Sequence, residues 1–272
     1  METPSLPADR PHPRGAGSLV RDESLAEETP VALIYNAKSH AVMMATPQDL
    51  HDFGLGFSLT EGIVGHCDEM LDVSLRRRSR GIEIALTITD ERFAGLGARR
   101  RNLVGRTGCG LCGLTSLCDV DRPLRELGHI AAISPQAITR AVGDLPSHQT
   151  INRRVHAVHA AAWSTRDGIV SMTREDIGRH NALDKLIGAM ARHGIDPTHG
   201  FAIITSRCSY EMVQKAVAGG IGILVAVSAP TALAVDVAKA AGVTVIARAR
   251  GSHYTIHSHP DRVAAQPGHA TA

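Results

Sequence analysis

Aromatic side chains are scarce: one Trp, three Tyr and four Phe make up 3% of the 272 residues. An interior so short of large rings has to be built from Ala, Val, Ile and Leu, as buried strands and closely packed helices are. Strong charge of one sign is also missing. A formal net charge of +2 argues against bulk nucleic-acid binding, although arginines cluster at 76–78 and 99–101 and fifteen His would add charge as the pH falls. The N-terminus has Pro, Asp and Arg where an export signal would have an apolar run, so a cytoplasmic protein is expected. The uncharged stretch 216–235 includes Gly219, Gly220, Gly222 and Pro230. It reads as a helix end, a buried strand and the next helix start rather than a membrane span. The cysteines number five, with one close pair, Cys109 and Cys112. An odd count of that kind excludes a disulfide scaffold and, in a reducing compartment, points to metal binding or reactivity.

What remains is 43% hydrophobic residues, enough to bury one large core or two modest ones. Residues 1–28 are rich in Pro, Gly, Ser and charge and read as an unstructured tail. Segments 31–35 and 40–45 read as a hairpin turning at 36–39. Thr46 and Pro47 then look like a helix start, with Leu50, Phe53 and Phe57 as its core-facing stripe. Strands follow at 73–77 and 82–88; the strict alternation of Ile82, Ile84, Leu86 and Ile88 gives the second one buried face. Ser134 and Pro135 open another helix. These elements predict a smaller mixed, β-rich N-terminal domain over 29–130.

The second half alternates more cleanly. A hairpin over 158–173 leads to a helix at 178–193, a strand at 201–205, a helix at 210–218, a strand at 223–227, a helix at 231–241 and a strand at 243–247. This rhythm predicts parallel crossovers and a sheet covered on both faces, an α/β domain over 131–260 followed by a tail at 261–272. The β-β-α-β-α-β order resembles the cytidine-deaminase-like three-layer α/β/α fold, so the whole chain reads as α/β, or α+β overall. Zinc deaminases need His-x-Glu at one helix start and Pro-Cys-x-x-Cys at the next. Here those starts read His180-Asn181-Ala182 and Arg207-Cys208-Ser209-Tyr210, without the acid/base Glu and without two of the ligands, so deamination is not expected.

The run Arg106-Thr107-Gly108-Cys109-Gly110-Leu111-Cys112-Gly113 is the most informative. Its glycines permit backbone conformations and close approaches that other residues do not, and nearby arginines favour thiolate over thiol. Four readings fit the loop itself: a zinc site shared across a dimer, a dithiol redox switch, persulfide or nucleophilic chemistry, and a glycine-rich turn with incidental thiols. Three polar junctions follow predicted strands: Glu175-Asp176-Ile177-Gly178-Arg179-His180-Asn181, Thr205-Ser206-Arg207-Cys208-Ser209-Tyr210-Glu211 and Ser228-Ala229-Pro230-Thr231. They would share the sheet edge at which open α/β folds bind ligands, where helix N-termini suit anions; ordinary capping by Asp176 explains the first of them equally well. His156 and His159 on a predicted strand read as structural, and Cys67 and Cys118 as packing residues.

Taken in order, His40-Ala41-Val42-Met43-Met44-Ala45-Thr46-Pro47, Gly56-Phe57-Ser58-Leu59-Thr60-Glu61-Gly62, the Cys109–Cys112 loop, the run from Glu175 through Asp184 to Lys185, Ser206-Arg207 with Ser209-Tyr210-Glu211-Met212, and Ser228 to Thr231 resemble the FdhD family of formate dehydrogenase accessory proteins. The resemblance covers about residues 30–260. It implies a sulfurtransferase that takes persulfide sulfur from a cysteine desulfurase. The sulfur passes to the molybdenum of bis-molybdopterin guanine dinucleotide before formate dehydrogenase receives that cofactor. It implies Cys109 as the persulfide carrier, Cys112 as an assisting or resolving thiol, no protein-ligated metal, a homodimer, and no nucleic-acid or membrane partner. The family's cofactor-binding stretch falls on Arg248, Ala249, Arg250, Gly251, Ser252 and His253. Arg179, His180, Asn181, Ser206 and Arg207 are candidates to join it at the sheet edge. A cofactor chaperone without sulfur transfer is the alternative. Two departures from the family pattern are His156-Ala157, where a Gly pair is expected, and His257, where many members have Tyr.

Overall fold

The structure, a computed structural model, describes residues 25–99 and 124–264. It opens with the hairpin of β1 (Thr29–Tyr35) and β2 (Lys38–Ala45). The chain turns at Asn36 and Ala37, both left-handed at φ 43° and 63°, a mirror-image turn that matches the strand twist. Asn36 is fixed there by Ile88, whose carbonyl accepts from Nδ2 at 3.0 Å and whose N–H donates to Oδ1 at 2.8 Å. Then come α1 (Leu50–Thr60), β3 (Met70–Arg78), β4 (Gly81–Ile88) and α2 (Asp90–Arg99). The first sheet runs β2-β1-β4-β3 and is antiparallel except for β1 beside β4. Ile82, Ile84, Leu86 and Ile88 line its buried face, packed against Leu50, Phe53 and Phe57 of α1, as their spacing predicts.

The start of α1 differs from the expected one. The helix begins at Leu50 after a left-handed Asp49, not at Thr46 and Pro47. Thr46 is drawn elsewhere: its N–H donates to Asp176 Oδ2 at 3.0 Å and its Oγ1 accepts from Ile177 N at 3.1 Å. A contact 130 residues away in sequence outcompetes the local cap.

The second part comprises α3 (Pro135–His148), α4 (Asn152–Val155), β5 (His159–Thr165), β6 (Val170–Asp176), α5 (Arg179–Arg192), β7 (Gly200–Ile204), α6 (Tyr210–Ala218), β8 (Ile223–Ala226), α7 (Ala232–Ala241), β9 (Thr244–Arg250) and β10 (His253–Ile256). Ser134 caps α3 through Ala137 N and Thr231 caps α7 through Ala234 N. The sheet order is β10-β9-β8-β7-β5-β6, with β7, β8 and β9 parallel and β5 antiparallel to both its neighbours. Side chains alternate across it. Trp163, Ala202, Ile204, Leu224 and Val245 meet α5, α6 and α7, while Ala162, Phe201, Ile203, Val225 and Ile246 meet α3. These are the three layers expected. Leu127 and Ile130, ahead of α3, join the same two cores, and Val263 pairs with Ile133. Three elements carry no clear sequence signal: α2 has two glycines and few apolar anchors, α4 is a single turn, and β10 is a short edge strand. Among the described residues no helix is long and apolar enough to cross a membrane. The stretch 216–235 divides into the end of α6, β8 and the start of α7.

The two sheets are joined where α1 crosses α5. A Cβ on Gly56 would overlap the carbonyl of Asp184, and one on Gly188 the carbonyl of Asp52. The helices therefore touch backbone to backbone, a reciprocal contact that only glycine permits. Arg174 and Arg192 flank it, 2.7 and 2.9 Å from the Asp52 carboxylate.

Gly56→Ala and Gly188→Ala are each expected to lower unfolding stability by about 2–3 kcal/mol in urea titrations, because the obstruction is backbone that no rotamer change can clear. Gly143→Ala in α3, with nothing within 4 Å of the added carbon, is expected to raise stability by about 0.5–1 kcal/mol.

Candidate functional site

Strands β6, β7, β8 and β9 end on one edge of the larger sheet, and β5 begins there. The polar junctions therefore gather as the crossover rule predicts. Their roles divide. Glu175 caps α4, its carboxylate accepting from Ile151 N and Asn152 N at 2.8 Å each. Asp176 is fully buried and saturated. Oδ1 accepts from Gly178 N and Asn181 Nδ2, and Oδ2 accepts from Thr46 N and lies 2.7 Å from Lys185 Nζ. Lys185 also donates to the carbonyls of Thr46 and Glu175, and burial lowers its pKa against the pull of Asp176. Asp176 does not cap α5, whose N-cap Gly178 has no side-chain cap bond; its carboxylate instead holds Gly178 N and the Asn181 side chain. The same carboxylate also docks the N-terminal part of the chain and sets the turn that launches Arg179 and His180.

One helical turn further, a second buried pair forms. Lys215 Nζ lies 2.9 Å from Asp184 and 3.2 Å from Glu61, and Thr60 Oγ1 donates to Asp184 at 2.7 Å. At the outer end, His180 Nε2 stands 2.8 Å from Glu211 Oε2 without a hydrogen bond between them. His159, at the start of β5, has its pKa lowered by burial and by the Arg179 and His180 charges. Glu211 belongs to the second polar junction of the sequence, but its pairing with His180 and the role of Lys215 appear only in the tertiary structure.

Arg248 occupies a left-handed conformation, φ 55°, inside β9. Its N–H donates to Ser228 O at 3.0 Å and its side chain is exposed. Ala249 beside it is buried, Arg250 is exposed, and Gly251 (φ 55°) turns the chain into β10 at His253. A non-glycine residue held at positive φ is a mark of functional positions. Ser206 is buried, its hydroxyl on the Arg207 carbonyl, and Arg207 points outward. Arg179, His180 and Asn181 form the first turn of α5, with Asn181 spent on Met44 O and Asp176. Cys109 and Cys112 lie outside the described residues, as does Cys118.

Two histidine and cysteine expectations change. His156 ends α4 at φ 49° instead of lying in a strand, and Cys67 is exposed rather than packed. Cys208 stands at the helix start where a deaminase would place a metal ligand. Its side chain is fully buried, its N–H and carbonyl bonded to Ala229 O and Thr231 N, and burial pushes the thiol up to about 12. Among the described residues no three His, Cys, Asp or Glu side chains converge to hold a metal.

The fold defines a two-sheet α/β protein with polar strand ends gathered on one edge of the larger sheet. The model of the FdhD/NarQ family matches residues 26–264. Proteins named Sulfur carrier protein FdhD are similar throughout. The one from Xanthomonas euvesicatoria is 49% identical over 250 residues, 92% of this chain and 89% of that protein. The one from Cupriavidus necator is 50% identical over 250 residues, 92% and 86%. A crystal structure of a putative formate dehydrogenase accessory protein from Desulfotalea psychrophila shares the fold, with TM-score 0.70, 23% identity, and 89% and 91% of the two chains covered. The chain belongs to the FdhD/NarQ family.

Iodoacetamide on the native protein at pH 8 is expected to alkylate Cys67 and spare Cys208, and denaturant to release Cys208; peptide mass spectrometry reads both. The raised thiol pKa adds stability below its unfolded value near 9, lost as the pH climbs toward 12. Cys208→Ala should therefore make unfolding stability fall less steeply with pH across that window.

Proposed function

We propose that this chain is a sulfur carrier and sulfurtransferase serving formate dehydrogenase. The observation that carries the reading is the Cys109-Gly110-Leu111-Cys112-Gly113 loop in a chain about half identical to proteins named sulfur carriers. The Cys109 thiolate attacks the outer sulfur of a cysteine desulfurase persulfide; a new S–S bond forms as the desulfurase thiolate leaves. Cys109 then holds the persulfide, and Cys112 assists or resolves it. The acceptor is the molybdenum of bis-molybdopterin guanine dinucleotide, bound before it enters formate dehydrogenase, with the protein acting as a cytoplasmic homodimer.

The acceptor is large and anionic, and the edge site suits it. The starts of α5 and α6 lie at this edge, and helix N-termini suit anions. Exposed Arg207, Arg248 and Arg250 offer guanidinium forks to phosphate. Arg179, His180, Asn181 and Ser206 shape the floor, and the turn from Arg248 to His253 forms one wall. Asp176 and Lys185 act behind them by holding the turn before α5.

Incubation with a cysteine desulfurase and cysteine, followed by peptide mass spectrometry without reductant, is expected to add one sulfur atom to the Cys109 peptide and none to Cys109→Ala. Absence of sulfur on either loop cysteine, with the desulfurase active in a control, would sink the carrier reading in favour of a cofactor chaperone. Arg248→Ala is expected to weaken cofactor binding about ten-fold or more, in line with loss of a charge-assisted contact, while persulfide loading persists.

A further inference from the structure

We propose that the open edge of β3 and the arginines of the β3–β4 hairpin dock the protein that donates sulfur, taking up an extended segment of it that is acidic at one end and apolar at the other; the assignment rests on the function proposed above. A protein donor has to seat beside this chain while the acceptor occupies the edge of the larger sheet, so it needs a surface elsewhere. β3 is the outermost strand of the smaller sheet, and among the described residues β4 is the one strand paired with it. An edge strand of nine residues is a template on which a second chain can add a strand.

Arg76, Arg77, Arg78 and Arg80 stand at its hairpin end, all exposed. Among the described residues one of the four is in an ion pair, Arg78 with Glu83 at 2.7 Å. Glu83 is also the residue opposite Arg76 in the strand register, so one carboxylate faces the group and positive charge is left over. The register sets Arg77 opposite Ile82, on the face that packs against α1, and Arg76 and Arg78 opposite Glu83 and Gly81, on the other. A strand added at this edge meets guanidinium groups on both of its faces.

Charge on an edge strand also serves as a guard against unwanted pairing, and Lys is the usual guard. Two observations separate docking from guarding. Each cation here is Arg, whose planar fork takes a carboxylate by two bonds and which is enriched in interfaces where Lys is depleted. The same strand also holds Leu71 and Leu75 in solvent, 62% and 39% exposed, which a strand built only to repel does not need. Leucines toward the start of β3 and arginines toward its end set the polarity of the occupant: apolar side chains over Leu71 and Leu75, carboxylates over the arginines. Nucleic acid matches this surface poorly. A phosphate backbone laid along β3 runs onto exposed Asp72 beside Leu71 and gains nothing from the leucines.

The test is biolayer interferometry between the full chain and a cysteine desulfurase, with persulfide loading of Cys109 read in parallel from two donors: the desulfurase with cysteine, and glutathione persulfide. Wild-type binding is expected to weaken as salt is raised to about 0.5 M, where exposed charges are screened. The triple variant Arg76→Glu, Arg77→Glu, Arg80→Glu is expected to bind the desulfurase at least ~10-fold more weakly and to lose the salt dependence, as reversal of steering charges does, while loading from glutathione persulfide stays within about two-fold. The triple change of the same residues to Ala, expected to weaken binding about three-fold or more, serves if thermal unfolding shows the Glu variant misfolded. Leu71→Ser is expected to weaken binding about three-fold with the salt dependence kept. No desulfurase binding by the wild type, binding that the charge variants leave unchanged, an equal fall in loading from both donors, or displacement of the desulfurase by a single-stranded RNA oligonucleotide overturns the assignment. Loading of wild-type Cys109 with binding indifferent to the hairpin defeats this assignment alone, and hairpin-dependent binding without loading from either donor defeats the carrier reading alone.

Discussion

The backbone contact between α1 and α5 is the constraint on which the rest of the molecule depends. Gly56 and Gly188 remove the side chains that would keep the helices apart, and the carbonyls of Asp184 and Asp52 fill the space. That closeness brings Thr60 and Glu61 within reach of Asp184 and Lys215, and Asp52 within reach of Arg174 and Arg192. Buried ion pairs are weak sources of net stability but strong determinants of a single arrangement when every partner is bonded, because removing one leaves an uncompensated charge. Here they sit around a joint already fixed sterically, and the two sheets form one unit.

The same joint builds the site. Asp176 accepts from Thr46 of the first part and from Gly178 and Asn181 of the second, so the turn before α5 is held from both sides. Arg179 and His180 inherit their positions from it. The ladder between α5 and α6 runs from the saturated pair Asp184–Lys215 to the unsaturated pair His180–Glu211. Saturation inside and free hydrogen-bonding capacity at the rim is the pattern of a binding site supported from behind. Cys208, at the helix start where a zinc deaminase would place a ligand, is part of the core.

Much of this was legible in the residues. The alternation at 82–88, the Ser134 and Thr231 caps and the helix stripe of Leu50, Phe53 and Phe57 are local signals whose physics lies within one element. The crossover rhythm of the second half implied a three-layer sheet with polar junctions on one edge, because short parallel connections permit little else. Thr46 misled: its local chemistry suits an N-cap, but Asp176 and Ile177 offered a better-buried bond. Cys67 and His156 misled because exposure and backbone handedness are decided by neighbours far along the chain. The roles of Gly56 and Gly188 were invisible because nothing in a helix sequence says which glycine meets another backbone.

By itself the sequence determined most of the secondary-structure order, the layered fold, the sheet edge at which the polar junctions gather and the cysteine loop that ties the chain to its family. Each of these depends on periodicity, capping or a contiguous motif. Only the tertiary structure decided that Asp176 and Lys185 would be buried supports, that Cys208 would be inert, and that His180 and Glu211 would face each other with bonds to spare. Those outcomes depend on which side chains from separate helices share a dry space, and burial, not residue type, sets whether a charge is spent on the fold or left for a ligand.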